Sequence, residues 1–183
     1  VNDILDLSLI EAGALRWELE RIDLFALLSE VIGHVREWAA KAGLELQLDC
    51  RDDAGVFLAD GRRIRQVVFN LLSNALKYTP RGGVITLIGD IQDEDVSIAV
   101  SDTGPGIAPE VKANVFERFA AKGRAGQRAG AGLGLALVNR FVELHNGWVE
   151  IDSRAGQGTI VRCHIPRRLH DDGPGEREIH AAE

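Results

Sequence analysis

Two asparagines and a lysine in the stretch "NLLSNALKYTP" (residues 70–80) are spaced so that they share one side of a helix. Asn74 follows Asn70 by four positions and Lys77 follows Asn74 by three, and residues at these separations are neighbours on a helix surface. A carboxamide oxygen can bind a hard cation, and an ammonium can bind phosphate. The face therefore predicts either a magnesium–phosphate site or an ordinary exposed polar surface, and the rest of the chain has to distinguish the two.

Three glycine-rich stretches follow this helix. They are "DTGPGI" (102–107), "GAGLGLAL" (130–137) and "GQGT" (156–159). The second runs directly into a helical pattern, where glycines let the backbone approach a ligand and the helix start offers free N–H groups. No Gly-Lys-Ser/Thr follows it, as a P-loop requires, and no βαβ unit surrounds it, as a dinucleotide fold requires. One glycine pair alone is typical of a turn, but three in order after the asparagine helix indicate a phosphate site.

Asp102 stands at the end of a predicted strand, just before a Gly-Pro-Gly bend. Its carboxylate has two interpretations. It caps the turn, or it accepts a hydrogen bond from the exocyclic amine of adenine. A buried acceptor of this kind discriminates strongly against ligands that lack the matching donor.

The stretch "FERFAAKGRAGQRA" (116–129) is basic in a chain whose net charge is −7. It carries Arg118, Lys122, Arg124 and Arg128 against a single glutamate. The stretch is either a solvated loop or a lid that closes over phosphates, with glycines that permit hinge motion. In the second interpretation Arg118 and Lys122 contact the nucleotide.

The elements that must position these groups are read from hydrophobic periodicity and from cap and turn residues. Predicted helices span 1–19, 26–41, 60–78, 109–117 and 133–145. Predicted strands span 44–50, 84–91, 95–101, 148–152 and 158–165, and a short strand starts within 22–25. Leu27, Leu28, Val31, Val35 and Trp38 share the apolar side of the second helix. Asp60 is the expected N-cap of the asparagine helix, and Asn146-Gly147 ends the last helix.

Helices and mostly antiparallel strands in mixed order predict an α+β fold, a two-layer sandwich with helices on one face of the sheet. We expect three regions. Residues 1–19 are the end of a helix that packs on another helix, residues 20–166 form one domain, and residues 167–183 are a polar, disordered tail.

Composition narrows the function further. The 183 residues are 45% hydrophobic, which is ordinary for a globular domain, and the acidic balance argues against a nucleic-acid partner. No window of 18 apolar residues and no signal peptide is visible, so we expect no direct membrane contact from this chain. Cys50 and Cys163 are isolated, which favours buried thiols in a reducing compartment over a disulfide or a zinc site.

At this point the residues resemble a known family. Asn70 and Asn74, "DTGPGI", "FERF", "GAGLGL" and "GQGT" look like the N, G1, F, G2 and G3 boxes of bacterial sensor histidine kinases, in the family's order, and the match covers residues 22–166. The stretch "NDILDLSLIEAG" similarly resembles the end of the second helix of the dimerisation and histidine-phosphotransfer domain. The resemblance implies a Bergerat-type ATP-binding fold with ATP and Mg²⁺ as ligands.

The resemblance also implies roles for single residues. Asn74 would give its side-chain oxygen to Mg²⁺, with Asn70 beside it and Lys77 on phosphate. Asp102 would bind the adenine amine, helped by Thr159. The other implied contacts are Tyr78 near the base, Gly104 and Gly106 around the base pocket, and Gly130, Gly132 and Gly134 around the phosphates.

Gyrase-, Hsp90- and MutL-type ATPases of the same superfamily carry a glutamate at the position of Asn70, as the base for an attacking water. An amide cannot take that proton at neutral pH. We therefore expect slow hydrolysis and transfer of the γ-phosphoryl group to another acceptor, with Asn70, Asn74 and Lys77 as the catalytic residues.

The family's acceptor histidine would lie upstream of residue 1, because none of the five histidines fits its motif. His34 is expected on a helix surface, and His145 as an imidazolium favoured by a helix C-terminus. The implied partners are the protein's own dimerisation helices, in a homodimer, and a response regulator. The implied location is cytoplasmic, with membrane anchoring of the full-length protein left open.

An alternative comes from the stretch that follows the F box. "AAKGRAGQRAGAG" is poor in the aromatic and acidic residues common there, and together with "LGLALVNRFVELHNGWVEI" it looks like the divergent DivL group. In that group a tyrosine replaces the acceptor histidine. This resemblance implies a non-catalytic signalling adaptor of the same fold that regulates other two-component proteins through protein contacts.

Overall fold

The computed structural model describes residues 17–107 and 133–168. The helices are α1 (Leu24–Ala42), α2 (Gly61–Tyr78) and α3 (Leu133–Leu144). The strands are β1 (Leu19–Asp23), β2 (Glu45–Cys50), β3 (Val56–Asp60), β4 (Val84–Gln92), β5 (Asp95–Asp102), β6 (Trp148–Ser153) and β7 (Thr159–Pro166). The helix expected at 109–117, the basic stretch 116–129, the tail beyond residue 168 and residues 1–16 of the helix expected at 1–19 lie outside the described residues. The end of that first helix was predicted wrongly, because Leu19 pairs with Asp60 and begins β1.

Five strands form one sheet in the order β2-β4-β5-β7-β6. Only the β2–β4 pair is parallel, and the other three pairs are antiparallel. Strands β1 and β3 form a separate antiparallel pair. Together with the helices this is the α+β architecture predicted from the order of the elements.

The helices cover one face of the five-stranded sheet. Leu87, Val100 and Val161 are neighbours across β4, β5 and β7, and all three are buried. Helix α1 packs against β2 and β4, α2 against β4 and β5, and α3 against β6 and β7. The alternation of apolar side chains along each strand therefore places one continuous core between the sheet and the three helices.

Helix α1 begins earlier than the periodicity predicts. The Asp23 carboxylate accepts a hydrogen bond from the Ala26 N–H at 2.8 Å, so the helix starts at Leu24, whose side chain is fully buried. At the other end Gly43 takes a left-handed conformation, with φ of 69°. Trp38, expected on the apolar side, is 53% exposed, because the small Ala39 occupies the buried position instead.

The pair β1 and β3 contains the principal error of the sequence prediction. No strand was expected at Val56–Asp60, and β1 was expected to start at residue 22. Strand β3 is buried on both sides and β1 is mostly exposed, so neither shows the alternation of a half-buried strand.

The cysteines and the surface histidine follow the prediction with one exception. Cys163 is buried, but Cys50 is only half-buried, at the end of the outermost strand β2. Burial raises the pKa of the Cys50 thiol to about 11 and that of Cys163 to about 12, so both stay protonated at neutral pH. His34 is exposed on α1, as expected. None of the helices that the structure describes is long and apolar enough to cross a membrane.

Candidate functional site

Helix α2 separates its polar and apolar residues as its sequence predicts. Leu71, Leu72 and Ala75 are buried in the core, whereas Asn70 and Asn74 are half-buried on another side of the helix. The helix is fixed at its start by Asp60, whose carboxylate accepts a hydrogen bond from the Arg63 N–H at 3.1 Å. This confirms the predicted cap and sets the orientation of the asparagine face.

The first turn of α3 lies against that face. A Cβ atom built on Gly134 would lie 3.7 Å from the Asn70 Cγ and 3.7 Å from the Asn74 Nδ2. A methyl group would therefore be in van der Waals contact with both carboxamides, and a larger side chain would project into them. Since the first N–H groups of a helix have no partner inside it and carry partial positive charge, this junction favours an anion.

The Asn70 carboxamide supports the same interpretation. Its Nδ2 is buried and has no hydrogen-bond partner within residues 17–107 and 133–168. A buried donor left without an acceptor costs about 1–3 kcal/mol. A phosphate oxygen placed between α2 and the start of α3 would satisfy this donor.

Lys77 and Tyr78 end α2 at the surface. Both side chains are exposed, Tyr78 by 51%, and the Lys77 Nζ lies 5.0 Å from the centre of the Tyr78 ring. Lys77 is one turn beyond Asn74, so its ammonium can reach ligand atoms that Asn74 contacts. Tyr78 contributes to the neighbouring loop through its backbone, because its carbonyl lies close to Gly104.

Asp102 is the last residue of β5 and is half-buried. Its Oδ1 accepts a hydrogen bond from the Gly104 N–H at 2.7 Å. Burial raises the pKa of this carboxyl, and the backbone amides of Gly104 and Thr159 act in the opposite direction. The structure therefore shows the turn-capping contact of Asp102, and its contact with an adenine amine stays a prediction.

The glycines beside Asp102 are required by close packing. A Cβ on Gly104 would lie 2.7 Å from the Asp102 Oδ1 and 3.3 Å from the Tyr78 carbonyl oxygen. Gly106 has φ of 72°, and a Cβ there would overlap the Arg154 carbonyl. Both positions exclude side chains, so backbone lines this side of the site.

Thr159 pairs with Asp102 in the β5–β7 register, which brings the "GQGT" stretch beside the "DTGPGI" stretch. Ser153, which the sequence analysis missed, links the two. Its Oγ accepts a hydrogen bond from the Ile107 N–H at 2.8 Å and lies 2.9 Å from the Thr159 Oγ1. The Gly156 N–H also donates to the Pro105 carbonyl at 2.7 Å. A lone serine at a strand end carries no signal in one sequence.

Four predicted site residues are not described by the structure. Arg118, Lys122, Gly130 and Gly132 lie between residues 108 and 132, so their contacts stay predictions. In the part of the chain that the structure describes, no cluster of three histidine, cysteine or acidic side chains could hold a metal ion. A cation at this site would thus depend on carboxamide oxygens, on water and on its ligand.

The arrangement has two ends with different chemistry. Asn70, Asn74, Lys77 and the start of α3 offer donors, a cation and a neutral oxygen, which suits a metal-bound phosphate chain. Asp102 and Thr159 offer acceptors beside closely packed backbone, which suits a flat base with an amino group. A nucleoside triphosphate carries groups that match both ends.

Comparison with known proteins gives the same result. A family profile described as histidine kinase-, DNA gyrase B- and HSP90-like ATPase matches residues 59–169. Sensor protein DivL of Caulobacter vibrioides is 39% identical over 91% of the chain, and histidine protein kinase DivJ of the same organism is 41% identical over 91%. The matched regions are 21% and 28% of those two proteins, so the chain spans about a quarter of their length.

Solved structures agree on the fold. Full-length ShkA in complex with AMPPNP superposes with a TM-score of 0.80 at 32% identity, over 95% of this chain and 36% of that one. Histidine kinase AdeS of Acinetobacter baumannii superposes with a TM-score of 0.74 at 25% identity, over 91% and 76%.

Proposed function

Because the chain belongs to the histidine kinase-, DNA gyrase B- and HSP90-like ATPase family, we propose that it transfers the γ-phosphoryl group of Mg·ATP to an acceptor side chain on a preceding segment of the full-length protein. It is an ATP-binding catalytic domain of the sensor histidine kinase type.

One observation carries the proposal. The first turn of α3 rests on Asn70 and Asn74 with no side chain between them, because residue 134 is glycine. This brings the free N–H groups of a helix start close to a buried carboxamide donor that has no partner among the described residues, and we place the phosphate chain beside this contact. An ordinary exposed polar surface would need neither the close approach nor the buried amide.

Three residues of the chain have separate roles at the phosphate end of the site. Asn74 offers its carboxamide oxygen to Mg²⁺, Asn70 donates to a phosphate oxygen, and Lys77 reaches the phosphates from one turn further on. When bound, Mg²⁺ neutralises charge on the phosphates and keeps several waters. Catalysis of phosphoryl transfer then depends on holding the γ-phosphoryl group in line with its acceptor.

Adenine is held at the other end. Asp102 accepts from the exocyclic amine while its Oδ1 stays bound to Gly104, and Thr159 stands opposite in the sheet register. Gly104 and Gly106 keep side chains out of the base pocket, and Tyr78 flanks it. The contacts with the phosphates that the sequence predicts for Arg118, Lys122, Gly130 and Gly132 are part of the same proposal.

In this proposal, hydrolysis of ATP is slow compared with phosphoryl transfer to the acceptor side chain. Asn70 occupies the position from which the gyrase-type ATPases activate water, and an amide cannot act as a base at neutral pH. The γ-phosphoryl group therefore stays on ATP until an acceptor side chain is positioned for transfer. We place that acceptor on a dimerisation helix that precedes this domain in a cytoplasmic homodimer, and a response regulator receives the group next.

A non-catalytic adaptor is the second candidate, and it rests on the resemblance of the stretch after residue 120 to the DivL group. Sensor protein DivL is 39% identical and histidine protein kinase DivJ is 41% identical, so identity does not separate the two candidates. The two candidates share the fold and the nucleotide site. They differ in the acceptor, which lies outside the described residues.

The deciding experiment incubates the full-length protein with γ-³²P-ATP and Mg²⁺ and tests the linkage formed. We expect a phosphoprotein stable in alkali and labile in acid, as a phosphohistidine is, and no labelling in the Asn74→Ala variant. Asn139→Ala changes a half-buried asparagine of α3 whose Nδ2 donates to the Glu143 Oε1, so it is the matched control and should label normally. An unlabelled wild-type protein that still binds Mg·ATP would refute the kinase and support the adaptor.

A further inference from the structure

The chain enters the described domain at a cluster that joins the far ends of α2 and α3. Trp17 packs the edge of its ring against His145, with 4.8 Å between centroids and 84° between planes. The next residue, Glu18, donates its N–H to the Asp60 Oδ2 at 3.3 Å. We call Trp17, Glu18, Asp60 and His145 the entry clamp.

Asp60 and His145 link the ends of the two helices, and Trp17 and Glu18 contact these two residues. Asp60 caps α2 through the Arg63 N–H, and its own N–H donates to the His145 Nε2 at 3.1 Å. The His145 Nδ1 lies 2.7 Å from the carbonyl oxygen of Phe141 in α3, so it must carry the proton. Both nitrogens of this imidazole are therefore used, one for each helix.

Burial favours the neutral form of His145 that these contacts require. Asp60 is 1% exposed and His145 is 6% exposed, and burial lowers the pKa of His145, so the ring is neutral at pH 7. The imidazolium expected from the helix C-terminus is thus wrong, because a protonated Nε2 could not accept from Asp60. A neutral imidazole in one fixed tautomer is a rigid link between the two helices.

The two helices run antiparallel, which connects the entry clamp to the proposed phosphate site. At one end Asp60 meets His145, and at the other Gly134 meets Asn70 and Asn74. The ends are about 16 Å apart along α3 at 1.5 Å per residue. A rigid shift of α3 at His145 would displace its first turn over the asparagines.

We propose that the entry clamp positions α3 against α2 and thereby sets the affinity for the magnesium triphosphate, so that Trp17 and His145 are positioning residues for nucleotide binding. The inference rests on the proposed function, because it uses the same phosphate site. By this route, a segment that precedes Trp17 changes the affinity for the nucleotide when it moves Trp17 and Glu18.

The test measures two ligands on the full-length protein by calorimetric titration. Mg·AMPPNP depends on the junction of α2 and α3, whereas ADP in EDTA depends more on the adenine end. Trp17→Ala and His145→Gln should each weaken Mg·AMPPNP about threefold to tenfold and ADP in EDTA less than about twofold. Trp17→Phe, which keeps an aromatic edge at His145, should restore the wild-type value.

Trp148→Ala is the matched control. Trp148 also packs on a histidine, with 4.6 Å between its ring centre and that of His164, but on β6 and β7 rather than on α2 or α3. It is 50% exposed, and its loss should leave both affinities unchanged.

Three outcomes would overturn the inference. In the first, Trp17→Ala and His145→Gln melt at lower temperature but bind both ligands like wild type, which makes the entry clamp purely structural. In the second, both ligands weaken equally in these variants. In the third, wild-type protein fails to bind Mg·AMPPNP, and the proposed function fails with the inference.

Discussion

Gly134 at the start of α3 lies against Asn74 of α2, with 3.7 Å between the position of a Cβ on the glycine and the carboxamide nitrogen. Two stretches of sequence separated by the whole β4–β5 hairpin therefore form one surface. A helix start beside two amides and a lysine is the arrangement expected of a site that binds an anion together with a metal cation.

Replacing Asn74 with alanine should remove the magnesium-dependent part of nucleotide binding. The variant loses the carboxamide oxygen that we assign to Mg²⁺, and we expect an affinity loss of at least about tenfold, or about 1.4 kcal/mol. Titration with AMPPNP, with and without Mg²⁺, measures it, with Asn139→Ala as the control. Equal magnesium dependence in wild type and variant would exclude Asn74 as a ligand.

Replacing Asp102 with asparagine should reduce discrimination between bases. An asparagine oxygen can still accept from Gly104, so the turn is kept, but the charged acceptor for the adenine amine is lost. We expect ATP to bind about tenfold more weakly and GTP to be little affected, since hydrogen bonds to charged groups contribute about 1.5–3 kcal/mol. Competition titrations with both nucleotides check this, and an equal loss for ATP and GTP would argue against base recognition.

Replacing Gly158 with alanine should destabilise the fold far more than the same change at Gly156. Gly158 and Gly156 have positive φ, 86° and 77°, so alanine at either position adds backbone strain of about 1–2 kcal/mol to the folded state. A Cβ on Gly158 also overlaps the Asp102 carbonyl, whereas a Cβ on Gly156 meets nothing within 4 Å. We expect the free energy of unfolding in urea to fall by roughly 3 kcal/mol or more for Gly158→Ala. Similar losses in the two variants would contradict the packing described here.

His145 should make the domain sensitive to acid. Its pKa is lowered in the folded protein by burial, against an opposing effect of Asp60, and is about 6.5 in an unfolded chain. Above that pH both states are neutral and the group has no effect. As the pH falls through about 6.5, the unfolded chain takes up a proton that the folded chain excludes, so stability falls by up to about 1.4 kcal/mol per pH unit.

Urea unfolding at pH 7.5 and 5.5 measures this loss, and His145→Gln should make it smaller. His34→Gln changes an exposed histidine of α1 and serves as the control. If His145→Gln keeps the full acid dependence of the wild type, the buried neutral imidazole is not its source.

The sequence predicted the long elements because their signals are local. The period of α2, its Asp60 cap and the alternation in β4 and β5 depend on residues close together in the chain. The asparagine face, Asp102 and Gly134 were recognisable for the same reason. That these residues lie close together in the fold followed only from the resemblance to a family, since no rule of sequence spacing predicts a contact between Asn74 and Gly134.

The remaining features depend on contacts between distant residues. Strand β3 pairs with β1, which lies 33 to 41 positions earlier in the chain, and β3 is too short and too uniformly buried to show a period. The protonation of His145 was predicted wrongly, because the helix dipole is a local signal while its burial against Asp60 and Trp17 is not.

The central claim is that α2 and the start of α3 form a magnesium triphosphate site. Calorimetric titration of this protein with AMPPNP, in Mg²⁺ and then in EDTA, tests it most directly. The account predicts saturable binding at micromolar to submillimolar analogue in Mg²⁺ and at least about tenfold weaker binding in EDTA. No heat at millimolar analogue, or the same affinity with and without Mg²⁺, would contradict it.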